Sequence, residues 1–209
     1  MSEIAKRLNQ CRKPTGEIGK VIAKDMNIAH FELTNWGFEK INIKKNDVIL
    51  DIGCGGGRTV NRMASMAAQG KTFGIDYSTD CVKWSKDYNE KLIKEGSVEI
   101  LHASVEKIPF ENDKFDIISA VETIYFWPNL VESFKEVKRV LKPLGKLIII
   151  CEMYSSEKFK ERNDEFVAIS DMEIHTPKEL KVLLEKAGYN NIKIDLVEDK
   201  NWLCCVCEK

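Results

Sequence analysis

Residues 48–58 read VILDIGCGGGR and carry the strongest structural signal in this chain. A short hydrophobic run ends at Asp51, a cluster of glycines follows, and a segment compatible with a helix begins at Thr59. Glycine has no Cβ and tolerates positive φ, so a ligand can lie directly against the backbone of such a turn. The N–H groups that open the following helix favour anionic groups. The segment therefore predicts a small-ligand site at the carboxyl end of a strand.

Short β-branched runs alternate with longer amphipathic stretches through most of the chain. Runs that are hydrophobic enough to be strands buried on both faces lie at residues 48–51, 71–76, 98–102, 115–121 and 146–151. Before the last of these, Leu130, Phe134 and Val137 recur at helical spacing, and Pro143 and Gly145 are expected to end that helix. Strands separated by helices predict a parallel sheet with right-handed crossovers.

The C-terminal third predicts a helix followed by a hairpin. Thr176 to Glu179 has the pattern of a capping box with proline at the first helical position, and Gly188 ends the helix. Residues 192–197 and 202–207 read as strands, and the short polar turn between them permits only an antiparallel pair. The expected fold class is α/β: a doubly wound, mostly parallel seven-stranded sheet with one antiparallel C-terminal strand, a Rossmann-like arrangement.

Residues 1–46 precede the first strand, and the stretch from Gly19 to Ile41 is expected to be helical. Such a segment could fold over the carboxyl edge of the sheet as a lid, where ligands bind in this type of fold. It could equally pack on the flank of the sheet as plain core. The expected division is therefore an N-terminal helical lid or flank at 1–46 and one compact domain at 47–209.

Composition narrows the classes of function. The chain has 209 residues, with 32 Lys and Arg against 33 Asp and Glu, so no basic surplus points to a nucleic-acid partner. The apolar runs are too short to span a bilayer, and the N-terminus lacks the apolar core of a secretory signal, so no membrane partner is expected. Most of the seven cysteines lie far apart, as expected for reduced thiols in a cytoplasmic protein.

Cys204, Cys205 and Cys207 form the one cysteine cluster and raise the question of a metal site. On a strand, neighbouring side chains point to opposite faces, so Cys204 and Cys205 cannot easily share one ion. Core packing is the better interpretation, and no metal is predicted.

The glycine loop has two competing interpretations. A dinucleotide-binding loop reads G-x-G-x-x-G, but the sixth position counted from Gly53 is Arg58. The Asp51 carboxylate beside the loop would repel a pyrophosphate and would suit an amino group and hydroxyls. Asp76 ends the second predicted strand, where an acid can accept from both hydroxyls of a ribose. The alternative is that Asp76 caps the next helix, although Ser78 also offers a cap.

These motifs occur in the order seen in class I S-adenosylmethionine-dependent methyltransferases, which the chain resembles over residues 46–152. The similarity is greatest to the small-molecule group that includes the ubiquinone and menaquinone methyltransferases. The matching segments are residues 48–58, Asp76, residues 102–110, residues 115–118 and residues 136–147. The motifs are specific for the cofactor and the fold and poorly specific for the acceptor.

The resemblance implies a cofactor-binding role for Asp51, Gly53, Cys54, Gly55, Gly57, Arg58, Asp76, Tyr77, Ser104, Val105, Glu106, Ala120 and Val121. Among them, Asp76 would hold the ribose and Tyr77 would lie against the adenine. Ser104 stands where many relatives carry aspartate, so its contact with the adenine amine would be uncharged. Arg58 could pair with the cofactor carboxylate or could be a solvated helix residue.

Methyl transfer needs little from the protein, because the sulfonium of the cofactor is already activated and positioning carries much of the catalysis. A general base is needed only if the acceptor must lose a proton early, so the catalytic residues stay open. Weak candidates are Glu122, His30, Tyr125 and His175, each of which also has a purely structural interpretation. The expected substrate contacts are Tyr125, Trp127 and Trp36, with Tyr125 and Trp127 at the ligand edge of the fourth strand or simply covering the next helix.

The sequence thus predicts S-adenosylmethionine-dependent methyl transfer to a small organic acceptor by in-line displacement. A nicotinamide-dependent oxidoreductase is the first alternative, and Arg58 at the third glycine position counts against it. A non-catalytic S-adenosylmethionine-binding partner subunit is the second. The acceptor and the oligomeric state stay open, since one fold hosts many acceptors.

Overall fold

The computed structural model describes residues 10–209. Within them a seven-stranded sheet runs in the order β3-β2-β1-β4-β5-β7-β6. The strands are β1 Val48–Ile52, β2 Lys71–Asp76, β3 Val98–His102, β4 Phe115–Val121, β5 Leu141–Cys151, β6 Asn190–Val197 and β7 Trp202–Glu208. Strands β1 to β5 pair in parallel, and β7 runs antiparallel to both β5 and β6. The predicted sheet with one reversed C-terminal strand is confirmed.

Helices connect the strands and cover both faces of the sheet. They are α1 Gly16–Ala29, α2 Phe31–Phe38, α3 Arg58–Met66, α4 Thr79–Tyr88, α5 Glu90–Lys94, α6 Leu130–Val140, α7 Lys160–Ser170 and α8 Pro177–Lys186, with short 3-10 turns at Ile124–Phe126 and Glu157–Phe159. The predicted capping box of α8 is present, because the Thr176 hydroxyl accepts from the backbone N–H of Glu179 at 3.2 Å. None of the helices in residues 10–209 is long and apolar enough to cross a membrane.

The alternation of side chains along β5 shows the two layers. Ile148 and Ile150 pack with residues of α2 and α3 on one face, whereas Leu147 and Ile149 pack with α6 and α8 on the other. Because successive strand residues point to opposite faces, a strand that is apolar throughout must be covered on both sides. The sheet is therefore doubly wound, as expected.

The start of β5 differs from the sequence prediction. Helix α6 ends at Val140, and the strand begins at Leu141, five residues before the predicted start at Lys146. The buried Leu141 pairs with Phe115, and the register then shifts so that Lys146 pairs with Ile117. Pro143 and Gly145 thus lie in a bulge inside the strand and do not end the helix.

The three C-terminal cysteines are buried in the core on both faces of β7. Cys204 packs beside α2, with its Sγ 3.8 Å from the carbonyl oxygen of Gly37. Cys205 and Cys207 belong to the core of the opposite face. The expected core packing is confirmed, because adjacent cysteines point to different layers.

The two helices before β1 contact both the flank of the sheet and the ligand cavity. Leu33 and Phe38 of α2 pack on the flank of the sheet against Ile150, while Ala23 and Met26 of α1 face the cavity described below. The first nine residues of the predicted 1–46 segment lie outside the described residues.

Candidate functional site

A cavity of about 920 Å³ opens at the carboxyl ends of the central strands. Its floor is the glycine loop after β1, and its opposite wall comes from α1, the start of α2 and the segment before α1. Ligand pockets in proteins usually hold about 300–1,000 Å³, so this cavity is large enough for more than one small ligand.

The glycine loop combines one open position with one packed position. Gly55 has φ +49°, its N–H donates to Asp76 Oδ2 at 2.9 Å, and a Cβ on it would meet nothing within 4 Å. The backbone at Gly55 is therefore bare towards the cavity. Gly57, expected to touch the ligand, does not line the cavity: a Cβ there would lie 2.5 Å from Asn89 Nδ2 and from Ser85 Oγ. Gly57 instead lets α3 begin close to α4.

Two buried carboxylates flank this loop. Asp51 is 1% exposed and accepts from the Ser119 hydroxyl at 2.6 Å. Burial raises the pKa of Asp51 to about 7, and the charge of Asp76 adds to that rise while the Ser119 hydrogen bond opposes it. A cationic or hydrogen-bond-donating ligand would relieve this cost, so the pair is suited to an amino group and hydroxyls.

Asp76 accepts from the backbone N–H groups of Gly55 at 2.9 Å and Ser78 at 2.8 Å, one on each carboxylate oxygen. Burial raises the pKa of Asp76 despite these bonds. Ser78, and not Asp76, caps α4, because its hydroxyl accepts from the N–H of Cys81. Each carboxylate oxygen can accept more than one hydrogen bond, so both oxygens of Asp76 retain capacity for a ligand.

The end of the cavity beside β2 and β3 is lined by Tyr77, Ser104, Val105 and Glu106. The Tyr77 hydroxyl donates to the carbonyl oxygen of Arg12 at 2.5 Å. Ser104 donates to Glu106 Oε2 at 3.2 Å, so its hydroxyl already has a partner within its own loop. The contact with Arg12 was not predicted, because no local pattern links residues so far apart in the chain.

Arg58 is only partly exposed and has no acidic partner among residues 10–209. It donates to the carbonyl oxygen of Asn27 at 2.5 Å and lies 4.4 Å over the ring of Phe31, so it ties α3 to the helices above the cavity. Arg62, one turn further along α3, also lines the cavity and was missed by the sequence analysis. Its spacing of four residues from Arg58 was the available signal.

A cluster of titratable groups lies at the end of the cavity beside β4 and β5, where His30, Glu122 and Tyr125 line the cavity and Glu152 contacts His30 and Glu122 without lining it. His30 Nε2 lies 3.7 Å from Glu152 Oε1, and Glu122 Oε1 accepts from the Tyr125 hydroxyl at 3.3 Å and from the backbone N–H of Glu152. Burial and Glu152 raise the pKa of Glu122 to about 8, against the opposing charge of His30. Burial lowers the pKa of His30, but the carboxylates of Glu152 and Glu122 outweigh it and the net pKa is raised. The pKa of Glu152 is lowered by its bond to His30.

The sequence pointed to His30, Glu122 and Tyr125 as candidate site residues but gave no sign of Glu152. Glu152 directly follows β5, the strand beside β4, so its place next to Glu122 could be inferred only once the strand order was known.

Three further predicted site residues lie away from the cavity. Ala120 is buried in the sheet, where it pairs with Ile149. The ring of Trp36 lies 6.0 Å from that of Trp202 on the flank, and His175 Nε2 lies 3.9 Å from Glu173 Oε1.

The remaining predicted residues line the cavity: Asp51, Gly53, Cys54, Gly55, Arg58, Asp76, Tyr77, Ser104, Val105, Glu106, Val121, Glu122, His30, Tyr125 and Trp127. Trp127 also packs edge-on against Phe134 of α6, so it is both cavity wall and helix cover.

The strand order places the polar groups of the site in a row along the carboxyl edge of the sheet. Ser104 follows β3, Asp76 ends β2, the glycine loop follows β1, Glu122 follows β4 and Glu152 follows β5. Because parallel strands present their carboxyl ends at one edge, these groups lie along that edge in the same order.

Comparison with known proteins agrees with this geometry. Residues 50–149 match the family model described as "Methyltransferase domain". Sterol 4-C-methyltransferase strm-1 of Caenorhabditis elegans is 30% identical over 158 residues, which cover 71% of this chain and 46% of that protein. The chain thus spans about half the length of that relative. A demethylmenaquinone methyltransferase of Staphylococcus aureus is 24% identical over 177 residues, covering 74% of this chain and 72% of that protein.

Among solved structures, a SAM-dependent methyltransferase from Aquifex aeolicus superposes with a TM-score of 0.71 at 24% identity, covering 89% of this chain and 95% of that one. These matches do not favour a nicotinamide-dependent oxidoreductase. Residues 50–149 are therefore a methyltransferase domain, in a chain that has the fold and the cofactor of the class I S-adenosylmethionine-dependent methyltransferases.

Proposed function

We propose that the protein transfers the methyl group of S-adenosylmethionine to a small organic acceptor by in-line displacement. The observation that carries this proposal is the pair of buried carboxylates, Asp51 and Asp76, on either side of the bare backbone of Gly55. These groups fit a ligand that brings an amino group and a vicinal diol to one concave surface.

The proposed cofactor contacts follow from the placement of the side chains. Asp76 holds the ribose hydroxyls and Asp51 takes the amino group of the methionine part. Tyr77, Ser104, Val105 and Glu106 surround the adenine. The backbone of Gly53, Cys54 and Gly55, with Val121 opposite, lines the methionine, and Arg58 stands near enough to the same loop to take its carboxylate.

The bound cofactor supplies an activated methyl group, so the chain has to orient the reactants and exclude water. Tyr125 and Trp127 form a wall at the end of the cavity away from Asp76. They restrict the directions from which an acceptor can approach. In-line attack requires such restriction, since a small misplacement of the nucleophile costs much of the rate.

We also propose that the segment before α1 acts as a lid. Two hydrogen bonds besides that of Tyr77 hold it in place: the Ser78 hydroxyl donates to the carbonyl oxygen of Pro14 at 3.2 Å, and the N–H of Gly16, the first residue of α1, donates to Asp80 Oδ2 of α4 at 2.9 Å. These contacts cross the end of the cavity assigned to the adenine. Cofactor entry then requires them to open, and closure excludes water from the site.

A small acceptor and a cytoplasmic location complete the proposal. The cavity must hold both cofactor and acceptor in about 920 Å³, which leaves room only for a small molecule. The balance of 32 basic and 33 acidic residues gives no support to a polyanionic acceptor. Thiols buried in the core at Cys204 and Cys205 suit a reducing compartment.

The test is calorimetric titration of the protein with S-adenosylmethionine and with S-adenosylhomocysteine. We expect saturable binding of both, weakened at least tenfold by Asp76→Ala, because loss of a charge-assisted pair of hydrogen bonds costs about 1.5–3 kcal/mol. The exposed Asp87→Ala, on α4, is the matched control and should bind as the wild type does. Absence of binding to the wild-type protein would refute the proposal, and enhancement of NAD(P)H fluorescence would point to the nicotinamide alternative.

A further inference from the structure

We propose that the acceptor is an amine that binds in its protonated form at the cluster of His30, Glu122 and Glu152, and that Glu122 accepts its proton. This inference rests on the proposed methyl transfer and specifies the chemistry of its acceptor.

The position of the cluster follows from the strand order. The groups assigned to the cofactor lie after β3, at the end of β2 and in the loop after β1, which are neighbouring strands. Glu122 and Glu152 follow β4 and β5, the next two strands along the same edge. His30 reaches them from the junction of α1 and α2, above the sheet. The cluster therefore adjoins the methionine end of the cofactor site, where an acceptor must lie.

The charges of the cluster leave one carboxylate for a ligand. His30 lies 3.7 Å from Glu152, so a protonated imidazole offsets the charge of that carboxylate. The hydrogen bonds that Glu122 accepts from the Tyr125 hydroxyl and the backbone N–H of Glu152 both go to Oε1. Oε2 is then the atom that remains for an ammonium group. The rings of Tyr125 and Trp127 line the same cavity and favour a cation over a neutral group.

Binding of an ammonium group at Glu122 is coupled to the release of a proton from this side chain. Burial raises the pKa of Glu122 to about 8, so at pH 7 most of the free protein carries a proton on this side chain. An ammonium group pairs with the carboxylate and not with the neutral acid, so its binding expels that proton. A neutral hydroxyl compound has no such requirement and expels none.

The reaction then balances within the site. The bound ammonium passes one N–H proton to Glu122 Oε2, which leaves a neutral amine with a free electron pair. The nitrogen forms a bond to the methyl carbon while the carbon–sulfur bond breaks and its electron pair stays on sulfur. The product amine carries the positive charge, and the proton stays on Glu122 until it is lost to solvent. No oxidant, reductant or further reactant is needed.

A metal ion is the competing occupant, because these three side chains offer ligand atoms within 4.8 Å of one another. Metal binding requires a neutral imidazole. The two carboxylates act against that, because they raise the pKa of His30. One of the carboxylate oxygens is also engaged by Tyr125 and the backbone. Binding of an organic cation requires neither a neutral His30 nor the release of that carboxylate oxygen from its hydrogen bonds.

The experiment uses the full chain saturated with S-adenosylhomocysteine, titrated calorimetrically with benzylamine and with its neutral counterpart benzyl alcohol. We expect benzylamine to bind at least tenfold more tightly. Titrations at pH 7 in two buffers with different ionisation enthalpies should show release of most of a proton per bound benzylamine and none for the alcohol. Glu122→Gln should abolish both the selectivity and the proton release while S-adenosylhomocysteine still binds.

Two further variants sharpen the result. Glu32→Gln removes one acidic charge from α2 outside the cavity, where Glu32 is 79% exposed and 3.7 Å from Lys200, and should behave as the wild type. Glu152→Gln frees His30 to pair with Glu122 and should also lower benzylamine affinity, which keeps the test valid if Glu122→Gln does not fold.

Equal affinity for the amine and the alcohol would overturn the inference, as would proton release that persists in Glu122→Gln. Tight binding of Zn²⁺ alone that is lost in Glu122→Gln, without amine selectivity, would assign the cluster to a metal. Failure of S-adenosylhomocysteine to bind would instead count against the proposed methyl transfer. The two proposals are thus tested separately.

Discussion

Replacing Asp51 by asparagine isolates the cost of burying a charge beneath the glycine loop. Asp51 is 1% exposed, and an asparagine there can still accept from the Ser119 hydroxyl. Because the folded-state pKa of about 7 lies above the ordinary value of 3.8, the folded protein holds a proton that the unfolded chain releases between these values. The Asp51 contribution to the stability of the wild type is therefore lost as the pH rises from about 4 through about 7, and the asparagine variant lacks this contribution.

The size of the effect follows from the same pKa. A rise from 3.8 to about 7 corresponds to about 4 kcal/mol of folding free energy at a pH above both values, as an upper limit. The buried amide has a desolvation cost of its own, so we expect Asp51→Asn to stabilise the ligand-free protein by about 1–3 kcal/mol at pH 8. For a chain of this size that is a rise in Tm of roughly 3–10 °C.

The assay is urea denaturation of ligand-free protein at pH 5, 6, 7 and 8. The gain in free energy of unfolding should grow with pH across this range, and Asp87→Asn, at an exposed position, should show no such trend. The same Asp51→Asn protein should bind S-adenosylmethionine at least tenfold more weakly, because it no longer offers a carboxylate to the amino group. A variant that is less stable than the wild type at pH 8, or whose gain does not change with pH, would refute the reasoning.

The remaining predictions concern the loop, the pH dependence of binding and a helix far from the site. Gly55→Ala should lower the free energy of unfolding by about 1–2 kcal/mol, because φ at this position is +49°. It should also weaken S-adenosylhomocysteine binding at least tenfold, because the new methyl group enters the cavity. Wild-type affinity of this variant in calorimetry would contradict the prediction. In the wild type, affinity for S-adenosylhomocysteine should fall as the pH drops below about 7 and Asp51 becomes protonated, and this dependence should vanish in Asp51→Asn. Thr176→Ala should lower the free energy of unfolding by about 1 kcal/mol through loss of the capping box, with cofactor affinity unchanged; an unaltered urea midpoint would disprove the role of the cap.

The sequence predicted the strands β2, β3 and β4 with the bounds that the structure has, because buried parallel strands are continuous apolar runs with polar ends. It misplaced the start of β5. Proline and glycine usually end a helix, and here they form a bulge whose position depends on pairing with Phe115 in another strand. Long-range pairing of this kind leaves no local pattern.

The glycine-loop end of the site could be predicted from the sequence, whereas the end that holds His30 and Glu152 could not, again because long-range contacts leave no local pattern. Asp51, Gly55 and Asp76 each lie at or just after the end of a strand, so their meeting at one edge follows from the fold class alone. Glu152 meets His30 across more than a hundred residues of chain, and that contact depends on how α1 and α2 sit on the sheet. Trp36 lies away from the cavity for the same reason, because its ring is on the flank of the sheet beside Trp202.

The row of groups along the carboxyl edge also divides the chain into separable parts. Most groups assigned to the cofactor come from residues 51–106, with Val121 added at the end of β4, whereas the acceptor end is assigned to residues 30–31 and to the segments after β4 and β5. The two sets share the cavity but few backbone segments. If the proposed function holds, substitutions after β4 and β5 should change the acceptor while the cofactor site keeps its form. Under the proposed function, the choice of acceptor is set by segments that can vary independently of those that bind the cofactor.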